Sequence, residues 1–232
     1  MFHQSNKEKE EEMRRKIGVV LSGCGHLDGA EIQETVVTLL AIDRAGAEAV
    51  CMAPDIDQMH VIDHRTGKEM SDKRNVLIES ARIARGNIQD LKGVDPAGLD
   101  ALILPGGYGA AKNLCDFAVK EENCQVDPDV GKLVRSILDA RKPIGVICIA
   151  PALMAKVAQG KGELVKLTIG NDGETAAALQ KMGTEHVDTK VEDIVVDEVH
   201  RIVSTPAYML GKRISEVAEG IEKLVKKVVN MI

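Results

Sequence analysis

The chain has 232 residues, a length that favours one α/β core with an excursion or two over two separate domains. Its net charge of −6 leaves no basic footprint for nucleic acid and argues against an anionic membrane surface as partner. No segment approaches the roughly 18 apolar residues of a membrane helix, and aromatics at 2% without Trp mean that Val, Ile, Leu, Ala and Met must build the core, as in a buried parallel sheet. Five cysteines, an odd number without CxxC spacing, fit neither a disulfide framework nor a zinc site and point to a reducing compartment. Residues 1–15 form a charged tail of Lys, Glu and Arg with no apolar h-region and too much acid for a transit peptide, so the expectation is a cytoplasmic protein. Residues 16–230 are read as a single domain with an excursion over about 56–90.

In chain order, Lys16 to Leu21 is a strand ending in Ser22-Gly23-Cys24-Gly25. Gly29 to Ala45 has helical periodicity through Ile32, Val36, Leu39, Leu40 and Ile42, stopped by Gly46, and Ala47 to Met52 is a second strand. This is a βαβ unit with a right-handed crossover. Val61 to Met70, with Thr66-Gly67 at its centre, predicts a hairpin, followed by a helix over Asn75 to Arg85. Leu99 to Leu104 is the third core strand and runs into Pro105-Gly106-Gly107-Tyr108-Gly109, a loop built for close backbone approach. A helix over Val130 to Ala140 leads to the strand Ile144 to Ile147. Beyond lie an apolar run over Leu164 to Ile169, a helix over Glu174 to Met182, a strand near His186, a strand pair over 194–196 and 202–205, and a final helix over about Lys212 to Val229.

Cys148 stands where the apolar strand stops and the segment Ile149-Ala150-Pro151 starts a helix. A reactive side chain at the carboxyl end of a buried parallel strand faces the crevice where doubly wound sheets bind ligands. Pro151 is tolerated in the first turn, and the helix dipole is expected to favour the thiolate. The alternative is a buried core cysteine. Glu34 on the first helix, the glycine loop and Cys148 would converge at one sheet edge. The Gly106 and Gly107 backbone with the Ile149 amide then offers N–H donors for a developing oxyanion, while paired glycines serving only a tight turn are the plainer reading.

Three segments carry a family resemblance: Ala30 to Val36, Leu104 to Leu114, and Val146 to Pro151. They resemble the three signatures of the PfpI-type superfamily, related to class I glutamine amidotransferases, over about residues 16–230. Ser22 to Gly25, Arg74 to Ile83 and Thr205 to Leu210 look like its ElbB-like branch, described as glyoxalases. The resemblance implies an α/β flavodoxin-like sandwich, mainly parallel, with helices on both faces and a small β-hairpin excursion. It also implies a strained elbow at Cys148 and a glutamate, matched by Glu34, that shares its proton. Glu31, three residues back, is read as the ordinary solvated one. Cys24, His26, Tyr108, Asn113 and Tyr208 are the expected pocket lining.

The histidine that follows the elbow helix in other branches is missing from Leu167 to Gly173. His186 and Asp188 share a strand face and are a weak candidate pair for activating Cys148, with a hydrogen-bonded structural histidine as the commoner alternative. Cys51, Cys115 and Cys124 are read as structural or exposed, and His60 and His64 lack a third ligand, so no metal site is expected. The leading expectation is a cofactor-independent glyoxalase acting on a small aldehyde such as glyoxal, as a homodimer of the kind the superfamily forms. A redox-sensing thiol or binding module, and a glutaminase subunit relying on His186, stand as alternatives.

Overall fold

The computed structural model describes residues 14–160, 162 and 164–232, so the charged tail, Arg14 and Arg15 apart, lies outside the described residues. β1 (Lys16–Val20), α1 (Ile32–Arg44) and β2 (Glu48–Ala53) make the expected crossover unit, with β1 and β2 parallel. The excursion holds the hairpin β3 (Ile62–Asp63) and β4 (Lys68–Glu69), then α2 (Val76–Ile83), whose first turn is capped where the Asn75 side chain accepts from the Ile78 N–H. Its last residues return to the core as β5 (Gln89–Asp90), which pairs with β2 at the sheet edge and carries no apolar pattern to announce it. β6 (Ala101–Leu104) enters the glycine loop and two short helices, α3 (Tyr108–Lys112) and α4 (Phe117–Lys120). There follow α5 (Pro128–Asp139), β7 (Ile144–Ile147), α6 (Ala150–Ala158), β8 (Val165–Leu167), α7 (Gly173–Lys181), β9 (Thr184–His186), β10 (Val195–Asp197), β11 (Ile202–Thr205) and α8 (Ile214–Met231).

The main sheet runs β10-β11-β7-β6-β1-β2-β5, parallel throughout except for the antiparallel β10–β11 pair. Strand residues alternate between two cores, as a pleat requires. Leu102, Leu104, Ile144 and Val146 face α5 and α6, while Ile17, Val19, Ile103 and Ile147 face α1 and α8. That is the flavodoxin-like sandwich. β8 and β9 pair with each other in a separate parallel ribbon.

One helix departs from its pattern. The periodicity of α1 predicts Ile32, Val36, Leu39, Leu40 and Ile42 on the buried face; Ile42 is buried and Leu39 packs half-buried against the core, but Ile32, Val36 and Leu40 are 43%, 49% and 43% exposed, and the face turned inward also carries Glu34, Thr35, Thr38 and Ala41. The two threonine hydroxyls are satisfied within the helix, donating to Glu31 O and Glu34 O at 2.7 Å each, so their burial leaves no hydrogen-bonding group unmatched. The rotation puts a carboxyl, and not an apolar side chain, against the sheet.

Candidate active site

The chain leaves β1 toward β2 and β5 on one side and returns through β6 to β7 and β11 on the other, so the order reverses between β1 and β6. The crevice beyond the strand ends at such a reversal is where these sheets hold ligands. Three loops meet there. The glycine loop is stitched to the loop after β1, with Tyr108 N–H donating to His26 O (2.8 Å), Gly109 N–H to Gly29 O (2.9 Å) and Glu31 N–H to Gly106 O (2.9 Å). At Gly107, φ is +93° and a Cβ would lie 2.4 Å from Glu31 N, so a larger residue is excluded by conformation and by space.

Cys148 has φ +62°, a left-handed backbone that is costly for a residue with a Cβ and is held only where the surroundings dictate it. Its N–H donates to Thr205 O at 2.9 Å, extending the β7–β11 ladder into the elbow. The thiol receives the backbone N–H groups of Gly107 and Ile149 and is in hydrogen-bond contact with the Glu34 carboxyl. Beneath them lies Gly106, where a Cβ would come within 2.3 Å of Cys148 Cβ and 2.7 Å of Glu34 Oε2. Only a hydrogen fits between thiol and carboxyl.

Glu34 is wholly buried. Its Oε2 accepts from Gly106 N–H at 3.0 Å and its Oε1 from Tyr208 N–H at 3.3 Å. Burial, and then the nearby Glu31 charge, push its pKa up to about 8 from an ordinary 4.5, against those two N–H groups and the thiol, which pull it down. Burial also pushes the Cys148 thiol up, seconded by the Glu34 carboxylate and opposed by the Gly107 and Ile149 N–H groups. The helix-dipole expectation of an easily formed thiolate is thereby corrected: desolvation outweighs it while Glu34 is ionised. A proton on Glu34 removes that charge and turns the carboxyl into a donor, so the pair holds thiolate only in its carboxyl-protonated form.

A cavity of about 390 Å³ opens over the thiol. Of the residues expected at the site, His26, Gly107, Tyr108, Cys148, Ile149 and Tyr208 line it. Gly106 does not supply an oxyanion donor, because its N–H is committed to Glu34 Oε2; Gly107 and Ile149 are the backbone donors at the sulfur. Asn113 is a tie between loops and not a lining residue, since its Nδ2 donates to Ser22 O and Asp28 O (2.9 Å each) and its Oδ1 accepts from Met59 N–H (2.9 Å). Cys24 sits outside the cavity lining among Glu79, Arg82, Asp28 and Arg74, its thiol pushed up chiefly by burial. His186 is likewise outside the lining. Its Nε2 accepts from Ile169 N–H at 3.3 Å and its Nδ1 lies 3.5 Å from Asp188 Oδ1, so the ring ties β9 to the end of β8, and burial lowers its pKa. Among the described residues no three His, Cys, Asp or Glu side chains gather as metal ligands.

The sequence reading missed Glu31, Phe117, Asp172, Thr175 and Met209, which also line the cavity. Glu31 is no solvated bystander: its Oε2 caps α1 by accepting from Glu34 N–H at 2.6 Å. Glutamate is not among the residues that usually cap a helix, and the expected helix begins at Gly29, so no local signal marks it.

No protein-family model matches the chain. The ES1 protein homolog, mitochondrial, of Rattus norvegicus is 44% identical over 229 residues, covering 94% of this chain and 84% of that protein. The chain belongs to the ES1 family. A human member, glutamine amidotransferase-like class 1 domain-containing protein 3, mitochondrial, is 43% identical over 226 residues, covering 93% of this chain and 83% of its own. Among solved structures, an isoprenoid biosynthesis protein with amidotransferase-like domain from Ehrlichia chaffeensis superposes with a TM-score of 0.87 at 38% identity, covering 94% of this chain and all of the other. Drosophila melanogaster DJ-1beta, at 22% identity and a TM-score of 0.52 over 94% of this chain and 96% of its own, shares the fold. The human name and the Ehrlichia description both carry an amidotransferase-like domain, which places the ES1 family with the class I amidotransferase-like proteins. The family's names correct the expectation of a cytoplasmic protein, because the rat, human and Danio rerio relatives are all named as mitochondrial. Unpaired cysteines exclude only oxidising compartments and could not separate the two.

Proposed function

We propose that this protein is a cofactor-independent glyoxalase that converts glyoxal, or a related α-oxoaldehyde, to the 2-hydroxy acid. The reading rests on one observation: a thiol on a strained elbow meets a fully buried carboxyl with a pKa of about 8, under a cavity, with two backbone N–H groups at the sulfur. In the first step the Cys148 thiolate, paired with protonated Glu34, bonds to an aldehyde carbon and the Glu34 proton passes to the carbonyl oxygen, giving a hemithioacetal and leaving Glu34 as carboxylate. Glu34 as carboxylate then takes the hydrogen of that carbon as a proton, giving an enediolate, and returns it to the neighbouring carbon while the hydroxyl proton of the first oxygen passes to the second, giving the thioester of the 2-hydroxy acid. Water cleaves the thioester, releasing the acid and restoring the thiol. A carboxyl with a pKa near 8 exchanges protons in both directions close to neutral pH, as this shuttle requires.

Redox sensing has less behind it, because sensor thiols are exposed and easily ionised, whereas Cys148 is 6% exposed with its pKa raised. A glutaminase would need His186 at the thiol, and that ring is engaged elsewhere. The test is glycolate formation from glyoxal by the purified protein beside Cys148→Ala and Glu34→Gln. Wild-type turnover lost in both variants supports the proposal; turnover retained in Cys148→Ala sinks it.

A further inference from the structure

The cavity is too large for the smallest substrate. Glyoxal has four non-hydrogen atoms, while about 390 Å³ lies over the thiol, within the range of roughly 300–1,000 Å³ that holds a drug-sized ligand. Phe117, Ile149, Tyr208 and Met209 give it apolar and aromatic walls. Two carboxylates, Glu31 and Asp172, complete the lining, and none of the described lining residues is Lys or Arg. Both carboxylates are fixed by capping, Glu31 on the Glu34 N–H and Asp172 on the Thr175 N–H (2.8 Å). The Thr175 contacts hold Asp172 below the usual carboxylate range. Lys112, beside the lining residue Tyr108 but outside the lining, holds its Nζ 5.1 Å over that ring and donates to Leu27 O at 3.2 Å.

We propose that the cavity receives the substituent of a larger α-oxoaldehyde, aromatic or otherwise apolar and neutral or cationic, and that Glu31 and Asp172 are specificity-determining residues that turn anionic substituents away. For the reactive end of the substrate this rests on the glyoxalase reading; the charge selection rests on the cavity alone. Asp172 is the residue to change, because Asn keeps the helix cap while removing the charge and Asp172 takes no part in the thiol–carboxyl pair.

The experiment measures alkylation of Cys148 by three N-phenyl chloroacetamides, unsubstituted, para-carboxylate and para-trimethylammonium. Rates are read by mass spectrometry at Cys148, normalised to a small thiol in solution, and taken in slightly alkaline buffer where an ordinary imidazole is neutral. The expected result is that the anionic probe lags the other two by about fivefold, the size of one unit-charge contact of about 4 Å fully screened as in bulk water. The lag should shrink in Asp172→Asn and at high salt, which a purely structural role for Asp172 would not produce. Equal normalised rates at low salt, or exclusion of all three aryl probes while chloroacetamide itself reacts, would overturn the proposal. Turnover of glyoxal and phenylglyoxal is followed in parallel. Conversion of glyoxal without phenylglyoxal also overturns the proposal, whereas loss of both removes the glyoxalase reading and leaves the alkylation ranking to decide the cavity's selectivity.

Discussion

Helices α1 and α8 pack together on the same side of the sheet and follow opposite rules. α8 buries Val217, Ile221, Leu224, Val225 and Val228, the stripe its periodicity dictates apart from Ile214, which is exposed at its first turn. α1 buries Glu34, Thr35 and Thr38 and leaves Ile32, Val36 and Leu40 exposed. A helix whose only duty is packing can be read from its pattern; a helix that must present a carboxyl to a thiol is rotated away from its apolar stripe, at a cost in buried surface.

The contrast can be attacked at four points. Gly106→Ala forces a methyl group between Cys148 and Glu34, so kcat should fall at least about a hundredfold, the penalty of displacing reacting groups by an ångström. Thermal unfolding of the same variant should show an overpacking loss of about 1–3 kcal/mol. On the packing helix, Leu224→Ala should cost about 2–5 kcal/mol by denaturant titration, with activity per folded molecule unchanged. The third point is pH. Glu34 holds its proton in the folded state up to about 8 and releases it near 4.5 when unfolded. Its contribution is full below 4.5 and is lost as pH rises through 8, with stability falling at up to about 1.4 kcal/mol per pH unit across that window. Glu34→Gln should flatten that slope, and an unchanged slope would show that the carboxyl is not held neutral. Smallest of all, Leu40→Ala on the exposed stripe of α1 should move stability by no more than about 0.5 kcal/mol, against the larger loss expected if the periodicity had chosen the face.

What was legible follows the same division. The core strands, the crossover and the elbow could be read because a buried strand is an apolar run, and Cys148 stands where that run ends before Pro151. Topology brought the helix carrying Glu34 to the site, but its proton-sharing role came only from the family resemblance, since the helical pattern of α1 does not select it. The commitment of Gly106 N–H to Glu34, the loop-tying role of Asn113 and the outward walls at Phe117 and Asp172 depend on contacts between segments far apart in the chain. No local periodicity encodes those contacts. The strand β5 escaped notice for the opposite reason, being two polar residues whose partner is supplied entirely by β2.

The most direct test of the account is the protonation of Glu34 itself, followed by ¹³C NMR of the labelled side-chain carboxyl and assigned by its disappearance in Glu34→Gln. A titration midpoint near 8 is the predicted result. A midpoint near 4.5 would mean an ionised carboxylate against the thiol throughout the neutral range, and would contradict the shared-proton pair on which the proposed chemistry stands.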